Sequence, residues 1–138
     1  MPVVRTLIDT NILVYALGTD AKGEIARRSL ADGYVLSVQA LNEFVRVATV
    51  KLRFDWPSVD ASLELFRANA IIVQPVDLAV HERALQLLRR YRFGTFDSLM
   101  IAAGLIAGCE RVLSEDMQHG LVVDDILRIE NPFAQAAH

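Results

Sequence analysis

Short apolar segments alternate with longer amphipathic ones along nearly the whole chain, and this alternation constrains the fold more than any other feature. Short apolar runs are typical of buried strands, whereas apolar residues at helical spacing predict helices that cover a sheet. When the two alternate, the strands usually form a parallel sheet with helices on both faces. We therefore predict an α/β fold, a single three-layer α/β/α domain with a parallel sheet of about five strands. The predicted strands are 3–8, 34–37, 71–73, 111–114 and 126–130, and the predicted helices are 11–17, 22–31, 38–52, 57–69, 77–91 and 96–107.

Chain length and composition favour one domain with a core of ordinary size. The 138 residues are 53% hydrophobic and 22% charged, which is enough apolar material for a core and too short a chain for two typical domains. We assign residues 1–133 to the domain and residues 134–138 to a short C-terminal tail. The net charge of −3 argues against a protein that holds nucleic acid mainly through bulk positive charge.

The sequence favours a cytoplasmic protein without a membrane anchor. The longest unbroken apolar run, 99–109, is shorter than the ~18 residues that a membrane-spanning helix needs. Arg5 and Asp9 interrupt the apolar residues near the N-terminus, so we expect no export signal there. The single cysteine, Cys109, cannot form an internal disulfide, which fits a reducing compartment.

Acidic side chains lie at the edge of the predicted sheet where ligands usually bind. Asp9 ends the first strand, Asp116 follows the fourth strand, and Asp97 lies in the first turn of the helix 96–107. Glu43 lies one to two turns into the helix that follows the second strand. In open α/β sheets, ligands bind beyond the carboxyl ends of the strands, where the strand order reverses. We therefore expect these four carboxylates to converge on one pocket.

Each of these carboxylates also has a purely structural explanation. Asp9 is well placed to cap the helix that follows it. Asp97 follows the predicted N-cap Thr95 by two residues, so its negative charge suits the positive end of the helix dipole. Asp116 suits a turn, and Glu43 suits a solvated helix face. The functional prediction therefore depends on the four residues acting as a set.

Four carboxylates in one pocket require either protonation or a cation, because like charges at short range repel one another. Carboxylate oxygens are preferred ligands of Mg²⁺ and Mn²⁺, and Mg²⁺ retains several waters when it is bound. Such an ion activates water and stabilises negative charge on a phosphoryl group, so a phosphodiester is the natural substrate. The sequence has no histidine pair or Cys–His cluster at ligand spacing, which disfavours zinc.

Four sequence blocks resemble the signature of PIN-domain ribonucleases. They are Ile8-Asp9-Thr10-Asn11-Ile12-Leu13, Leu41-Asn42-Glu43-Phe44, Phe96-Asp97-Ser98-Leu99 and Leu113-Ser114-Glu115-Asp116-Met117-Gln118-His119-Gly120. The chain length and the ending Asn131-Pro132-Phe133 are similar to those of VapC-type toxins from bacterial toxin–antitoxin pairs. Position by position, the resemblance implies a catalytic, metal-binding set of Asp9, Glu43, Asp97 and Asp116, with Asn11 and Ser114 as polar supporting residues.

The resemblance implies an endoribonuclease that depends on Mg²⁺ or Mn²⁺. Its implied substrate is structured RNA, such as tRNA or rRNA, whose cleavage halts translation. It also implies a homodimer and a cognate antitoxin protein whose tail crosses the active-site groove. Because every acidic position of the family pattern is present, the resemblance implies an active enzyme.

A basic and aromatic stretch just before the third acidic block predicts a contact with RNA. It carries Arg89, Arg90 and Arg92, with Tyr91 and Phe93 between and after them. Guanidinium groups contact phosphates, and aromatic rings stack on bases. The structural alternative is that these cations compensate the dipole at the C-terminus of a helix.

Two other functions remain open at this point. A nuclease of the same kind would also serve a housekeeping role in RNA or DNA processing, and an antitoxin gene beside its own gene would argue against that role. Alternatively, the acids hold a structural cation in a non-catalytic, metal-binding partner module. Loss of RNA cleavage with intact folding in an Asp97→Asn variant would distinguish the nuclease from the module.

Overall fold

The computed structural model describes residues 4–134 and contains a six-stranded sheet between two layers of helices. The strands are β1 (Thr6–Ile8), β2 (Tyr34–Ser37), β3 (Ala70–Gln74), β4 (Arg111–Leu113), β5 (Val122–Val123) and β6 (Leu127–Glu130). The helices are α1 (Thr10–Ala16), α2 (Ala21–Leu30), α3 (Val38–Arg46), α4 (Trp56–Asn69), α5 (Leu78–Arg90) and α6 (Thr95–Ile106), and a π-helical segment, Val47–Lys51, continues α3. This arrangement confirms the predicted α/β/α fold. The predicted strand residue Val3 and residues 135–138 of the predicted tail lie outside the described residues.

The order of the strands places a reversal point between β1 and β4. The order across the sheet is β3-β2-β1-β4-β6-β5. From β1 the chain builds outward to β2 and β3, and it then crosses to the other side of β1 to form β4. Ile8 and Leu113, which end β1 and β4, are paired in parallel register. The carboxyl ends of these two strands are therefore the expected position for a ligand.

The strand count corrects the prediction of about five strands. All five predicted strands are present and parallel, and β5 adds a sixth that runs antiparallel to β6. The turn between them contains Asp124 and Asp125, whose φ angles are 51° and 59°. Aspartate tolerates this left-handed conformation better than most residues do. A strand of two residues is too short to produce a recognisable alternation in the sequence, which is why the pattern does not predict it.

Besides α1, four helices begin at a residue whose side chain caps them. Each cap accepts a hydrogen bond of 2.9 or 3.0 Å from the backbone N–H three residues later, and the four caps are Asp20, Ser37, Asp55 and Asp77. The prediction that Thr95 caps α6 is wrong. Thr95 is itself the first helical residue, and Gly94 occupies the cap position without a side-chain hydrogen bond.

The two faces of the sheet carry separate apolar cores. Helices α5 and α6 cover the face where Leu7 and Val112 are fully buried, and helices α1 to α4 contribute to the core on the other face. Gly104 lets α6 lie close to β1, because a Cβ at that position would come 2.8 Å from Leu7 Cδ2. This close packing holds α6 against the strand that leads to Asp9. Of the helices in residues 4–134, none combines the length and the hydrophobicity needed to span a membrane.

Candidate active site

The four predicted carboxylates line one cleft where the strand order reverses. Asp9, Glu43, Asp97 and Asp116 all contribute to its wall, and its volume is about 430 Å³. They come respectively from the end of β1, from α3, from the first turn of α6 and from the segment after β4. The structure thus brings the four side chains together, while their catalytic role stays a prediction.

Asp9 is the most buried member of the set, with 6% of its surface exposed. It is the N-cap of α1, and its Oδ1 accepts a hydrogen bond of 2.6 Å from the Thr10 N–H. Ser114 donates a hydrogen bond of 2.7 Å to the other oxygen, Oδ2. Burial raises the pKa of Asp9 to about 6, the hydrogen bonds from Ser114 and Thr10 oppose this rise, and the charges of Asp97 and Glu43 add to it. Asp9 is therefore both a helix cap and a carboxylate whose ionised form a nearby cation would stabilise.

Thr10 orients the side chain of Glu43. Its Oγ1 lies 3.2 Å from the Ala40 carbonyl oxygen and 3.2 Å from Glu43 Oε2. Because a hydroxyl carries a single proton, these two acceptors share one donor. Thr10 is only 5% exposed, so its hydroxyl is fixed by the surrounding structure. Glu43 is consequently held beside Thr10 in the wall of the acidic cleft and does not extend from a freely solvated helix face.

Asp97 is half-buried in the first turn of α6. Burial raises the pKa of its carboxyl group, and the charges of Glu43 and Asp116 raise it further. These three carboxylates therefore lie close enough to influence one another electrostatically. A cation among them would relieve both the burial cost and the mutual repulsion.

Asn11 connects α1 to the segment that carries Asp116. Its Nδ2 donates a hydrogen bond of 3.1 Å to Asp116 Oδ2, and its Oδ1 accepts one of 3.3 Å from the Glu115 backbone N–H. Asp116 itself is exposed at the rim of the cleft. Both predicted supporting residues, Asn11 and Ser114, thus form a hydrogen bond with one of the four carboxylates.

A fifth acidic residue, Glu115, also lines the cleft and is not among the predicted site residues. It accepts hydrogen bonds of 2.5 Å from the Tyr15 hydroxyl and from Lys22 Nζ. The hydrogen bonds from Lys22 and Tyr15 lower the pKa of Glu115, so its negative charge is already compensated. A signal for Tyr15 exists in the sequence, because it follows Asn11 by four residues and shares a face of α1 with it. We interpret Glu115 as a brace between α1, α2 and the segment after β4.

The donor set fits a hard divalent cation. The four carboxylates offer only oxygen ligands, and in the described part of the chain none of them pairs with a lysine or arginine. Within residues 4–134, no three Asp, Glu, His or Cys side chains already stand as ligands around one point. Mg²⁺ does not require such a cluster, since it is commonly bound through one or two carboxylates and several waters.

Two further clefts adjoin the acidic cleft and extend it into a groove. The first, about 450 Å³, shares Asp97 and Asp116 with the acidic cleft and runs along the connection between α5 and α6; we call it the α5–α6 arm. The second, about 360 Å³, shares Glu43 and Lys51 with the acidic cleft and runs along α3; we call it the α3 arm. Basic and aromatic side chains line both arms, and they are Arg90, Tyr91, Arg92 and Phe93 on one side and Arg46, Lys51 and Phe96 on the other.

The three arginines predicted to bind RNA differ in their surroundings. Arg90 and Arg92 line the α5–α6 arm, whereas Arg89 lies exposed in the last turn of α5 and is not part of its wall. Arg90 Nη1 donates a hydrogen bond of 2.8 Å to Asp124 Oδ1, although 68% of the Arg90 side chain stays exposed. Their contact with RNA stays a prediction.

A larger cleft, about 820 Å³, lies between α2 and the β4–β6 part of the sheet and contains none of the four carboxylates. His119 lines this cleft, and its Nδ1 accepts a hydrogen bond of 2.9 Å from the Asn131 backbone N–H. His119 therefore joins the segment after β4 to the segment after β6. It is not among the residues that line the acidic cleft.

Fold and site together define an α/β protein with an acidic cleft at the reversal point of a parallel sheet. The model of the PIN domain family matches residues 6–121. The chain therefore belongs to the PIN domain family, whose members are nucleases. No curated protein matches the chain in sequence.

Solved structures share this fold at low sequence identity. A toxin–antitoxin complex from Klebsiella pneumoniae has a TM-score of 0.68 and 17% identity, covering 92% of this chain and 97% of that one. VapBC-1 from nontypeable Haemophilus influenzae has a TM-score of 0.69 and 13% identity, with the same coverage of 92% and 97%. Mycobacterium tuberculosis VapC20, a sarcin–ricin loop cleaving toxin, has a TM-score of 0.63 and 19% identity, covering 78% and 86%. At these identities the likeness shows a common fold.

Proposed function

We propose that this protein is a divalent-metal-dependent endoribonuclease that acts as the toxin of a toxin–antitoxin pair. The observation that carries the proposal is the acidic cleft of a PIN domain, which four carboxylates from distant parts of the chain line together. The raised pKa values of Asp9 and Asp97 support it, because they mark carboxylates whose ionised form gains from a cation.

In this proposal Asp9, Glu43, Asp97 and Asp116 hold Mg²⁺ or Mn²⁺. The bound ion supplies an activated water and stabilises negative charge on the phosphodiester. The chain orients its ligands through the hydrogen bonds that Ser114 gives to Asp9 and that Asn11 gives to Asp116. Hydrogen-bonded partners of this kind fix the direction from which each carboxylate approaches the ion.

RNA is the proposed substrate, and the two arms of the groove are its proposed path. An acidic protein needs local positive charge to approach a polyanion, and both arms carry it on each side of the carboxylates. We propose that Arg89, Arg90 and Arg92 contact RNA phosphates on the α5–α6 side. The description of VapC20 as a sarcin–ricin loop cleaving toxin supports RNA, with tRNA or rRNA as the candidate class.

The toxin role rests on likeness to proteins solved as toxin–antitoxin complexes. We propose a cognate antitoxin that covers the groove, a homodimer as the assembled form, and the cytoplasm as the site of action. Growth arrest on expression of this chain, relieved by co-expression of a small protein encoded next to it, is the expected result. RNA cleavage without growth arrest would instead favour a housekeeping nuclease.

The nuclease activity is tested with purified protein and total cellular RNA, with and without Mg²⁺ or Mn²⁺. We expect cleavage that a chelator abolishes and that the Asp97→Asn variant lacks while keeping its fold by circular dichroism. Asp60→Asn is the matched control, since Asp60 is an exposed acid on α4 and does not line the acidic cleft. Undiminished cleavage by Asp97→Asn, or cleavage that persists in chelator, would contradict the proposal.

A further inference from the structure

We infer that the α5–α6 arm is a binding site for one unpaired nucleobase, which stacks on the outer face of Phe93 and so extends the Tyr91–Phe93 stack beside the acidic cleft. This inference rests on the proposed RNA substrate, but it concerns binding and can fail or succeed independently of cleavage. According to this inference, the α5–α6 arm binds a flat aromatic base in addition to an RNA phosphate.

The two rings form a stacked pair in the wall of the arm, in which each ring covers one face of the other. Tyr91 and Phe93 both line the arm, and their rings are stacked with centroids 5.1 Å apart and planes only 12° from parallel. Both are partly buried and pack against the core beneath α5 and α6, so they are held in place before any ligand arrives. Aromatic side chains of this kind stack with any base, because every base has a π-face.

Hydrogen bonds from the β5–β6 turn hold the Tyr91 side of this stacked pair in place. The Tyr91 hydroxyl accepts a bond of 2.8 Å from the Asp124 N–H and donates one of 3.1 Å to Asp124 Oδ1. Arg83 and Arg90 bind the same carboxylate at 2.9 Å and 2.8 Å. Asp124 thus ties α5 and the residue that follows it, Tyr91, to the β5–β6 turn. A preorganised platform binds its ligand with a smaller loss of conformational entropy.

The rest of the arm suits a base. Its volume of about 450 Å³ lies within the range of small-ligand sites. Gly94 leaves space, since apart from Gly94 itself and its two chain neighbours no atom lies within 4 Å of the position that a Cβ would occupy. Gln118 also lines the arm and offers an amide donor and acceptor to the edge of a base, while the exposed Arg92 lies within reach of the adjoining phosphate.

The position of the arm has a consequence for the substrate. It shares Asp97 and Asp116 with the acidic cleft, so a base in the arm belongs to a nucleotide next to the phosphodiester at the carboxylates. A base within a regular duplex is stacked on both sides and is not available to Phe93. The site therefore selects single-stranded or loop RNA at the point of cleavage.

The test measures binding of short single-stranded RNAs, each with one abasic position, by fluorescence anisotropy in chelator so that cleavage does not interfere. Wild-type protein should lose about tenfold in affinity when one particular position is abasic. Phe93→Leu should bind the intact RNA about tenfold more weakly than the wild type does. Its affinity should not fall further when the RNA is abasic at that particular position. Phe93→Tyr, which keeps the ring, should retain wild-type binding. Trp56→Leu changes an aromatic residue that is 63% exposed on α4, does not line the groove, and should have no effect.

The outcomes separate this inference from the proposed function. Wild-type affinity in Phe93→Leu, or an abasic effect that persists in that variant, overturns the nucleobase site and leaves the nuclease proposal standing if the wild type cleaves RNA. Binding that follows the expected pattern without any cleavage supports the site and overturns the catalytic proposal. A wild-type protein that neither binds nor cleaves RNA overturns both.

Discussion

Ser114 Oγ donates a hydrogen bond of 2.7 Å to Asp9 Oδ2, and this contact joins the ends of two neighbouring parallel strands. Ser114 is fully buried, so the bond is shielded from water. The pKa of Asp9 is nevertheless raised to about 6, because burial outweighs the stabilisation that Ser114 and Thr10 give to the ionised carboxylate. The bond therefore holds Asp9 in position, but it does not fully offset the cost of burying the ionised carboxylate, which a bound cation would reduce.

Replacement of Ser114 by alanine should weaken both the fold and the metal site. The pKa of Asp9 should rise further, since the Ser114 bond lowers it. Loss of this bond to a buried carboxylate should reduce the free energy of unfolding by about 1–3 kcal/mol, measured by urea denaturation. Half-maximal RNA cleavage should also need more Mn²⁺. Ser62→Ala is the control, because the Ser62 hydroxyl bonds only to Ser58 in its own helix, and equal behaviour of the two variants would count against the proposed role.

Stability of the metal-free protein should fall as the pH rises from about 4 to about 6, because of Asp9. The native state, with a pKa of about 6, binds more protons in this range than the unfolded state with its ordinary value of 3.8. Above this range, ionisation of the buried Asp9 lowers the free energy of unfolding by about 3 kcal/mol in total. Asp9→Asn removes the ionisable group, so its stability relative to wild type should increase between about pH 4 and about pH 6 and then level off. Melting temperatures in chelator measure this difference, and a pH-independent difference would show that Asp9 is not the cause.

Divalent ions should stabilise the folded protein, because they bind carboxylates that only the fold brings together. At an ion concentration a hundredfold above its dissociation constant, the expected gain is about 2.7 kcal/mol. The gain in melting temperature with Mn²⁺ should be large near pH 8, smaller near pH 5, and nearly absent in Asp9→Asn and Asp97→Asn. Asp60→Asn should respond as the wild type does. An equal shift in all four proteins would indicate binding elsewhere on the surface.

Local patterns were sufficient to predict the part of the fold that positions the carboxylates. Strands β1 and β4 are short apolar runs, and Asp9 and Asp116 follow them within a few residues. Because the carboxyl ends of parallel strands lie at one edge of the sheet, the sequence predicts that Asp9 and Asp116 lie close together there. This prediction requires no knowledge of side-chain contacts. Local patterns do not predict strand β5, because its two residues acquire strand structure only from their pairing with β6.

Contacts between distant residues could not be predicted in the same way. Lys22 pairs with Glu115 across 93 positions, and Arg90 pairs with Asp124 across 34. The sequence contains 14 basic and 17 acidic residues, and their charges alone do not determine which of them pair. Packing of α2 against α1 and of α5 against α6 decides these partners. For this reason the sequence predicts a basic stretch at Arg90 but not its tether to the β5–β6 turn.

Asn11 should be a positioning residue for Asp116, and its replacement by alanine should lower kcat/KM for RNA cleavage by roughly 10–100-fold. The variant loses the amide that holds Asp116 at 3.1 Å and the acceptor that holds the Glu115 N–H. Asn11→Asp has almost the same shape but places a negative oxygen against Asp116, so it should be at least as impaired as alanine. Asn69→Ala is the control, because the Asn69 amide bonds only to Leu65 in its own helix. Full activity of Asn11→Asp would mean that side-chain shape alone matters here, and the Asn11–Asp116 hydrogen bond would then have no role in cleavage.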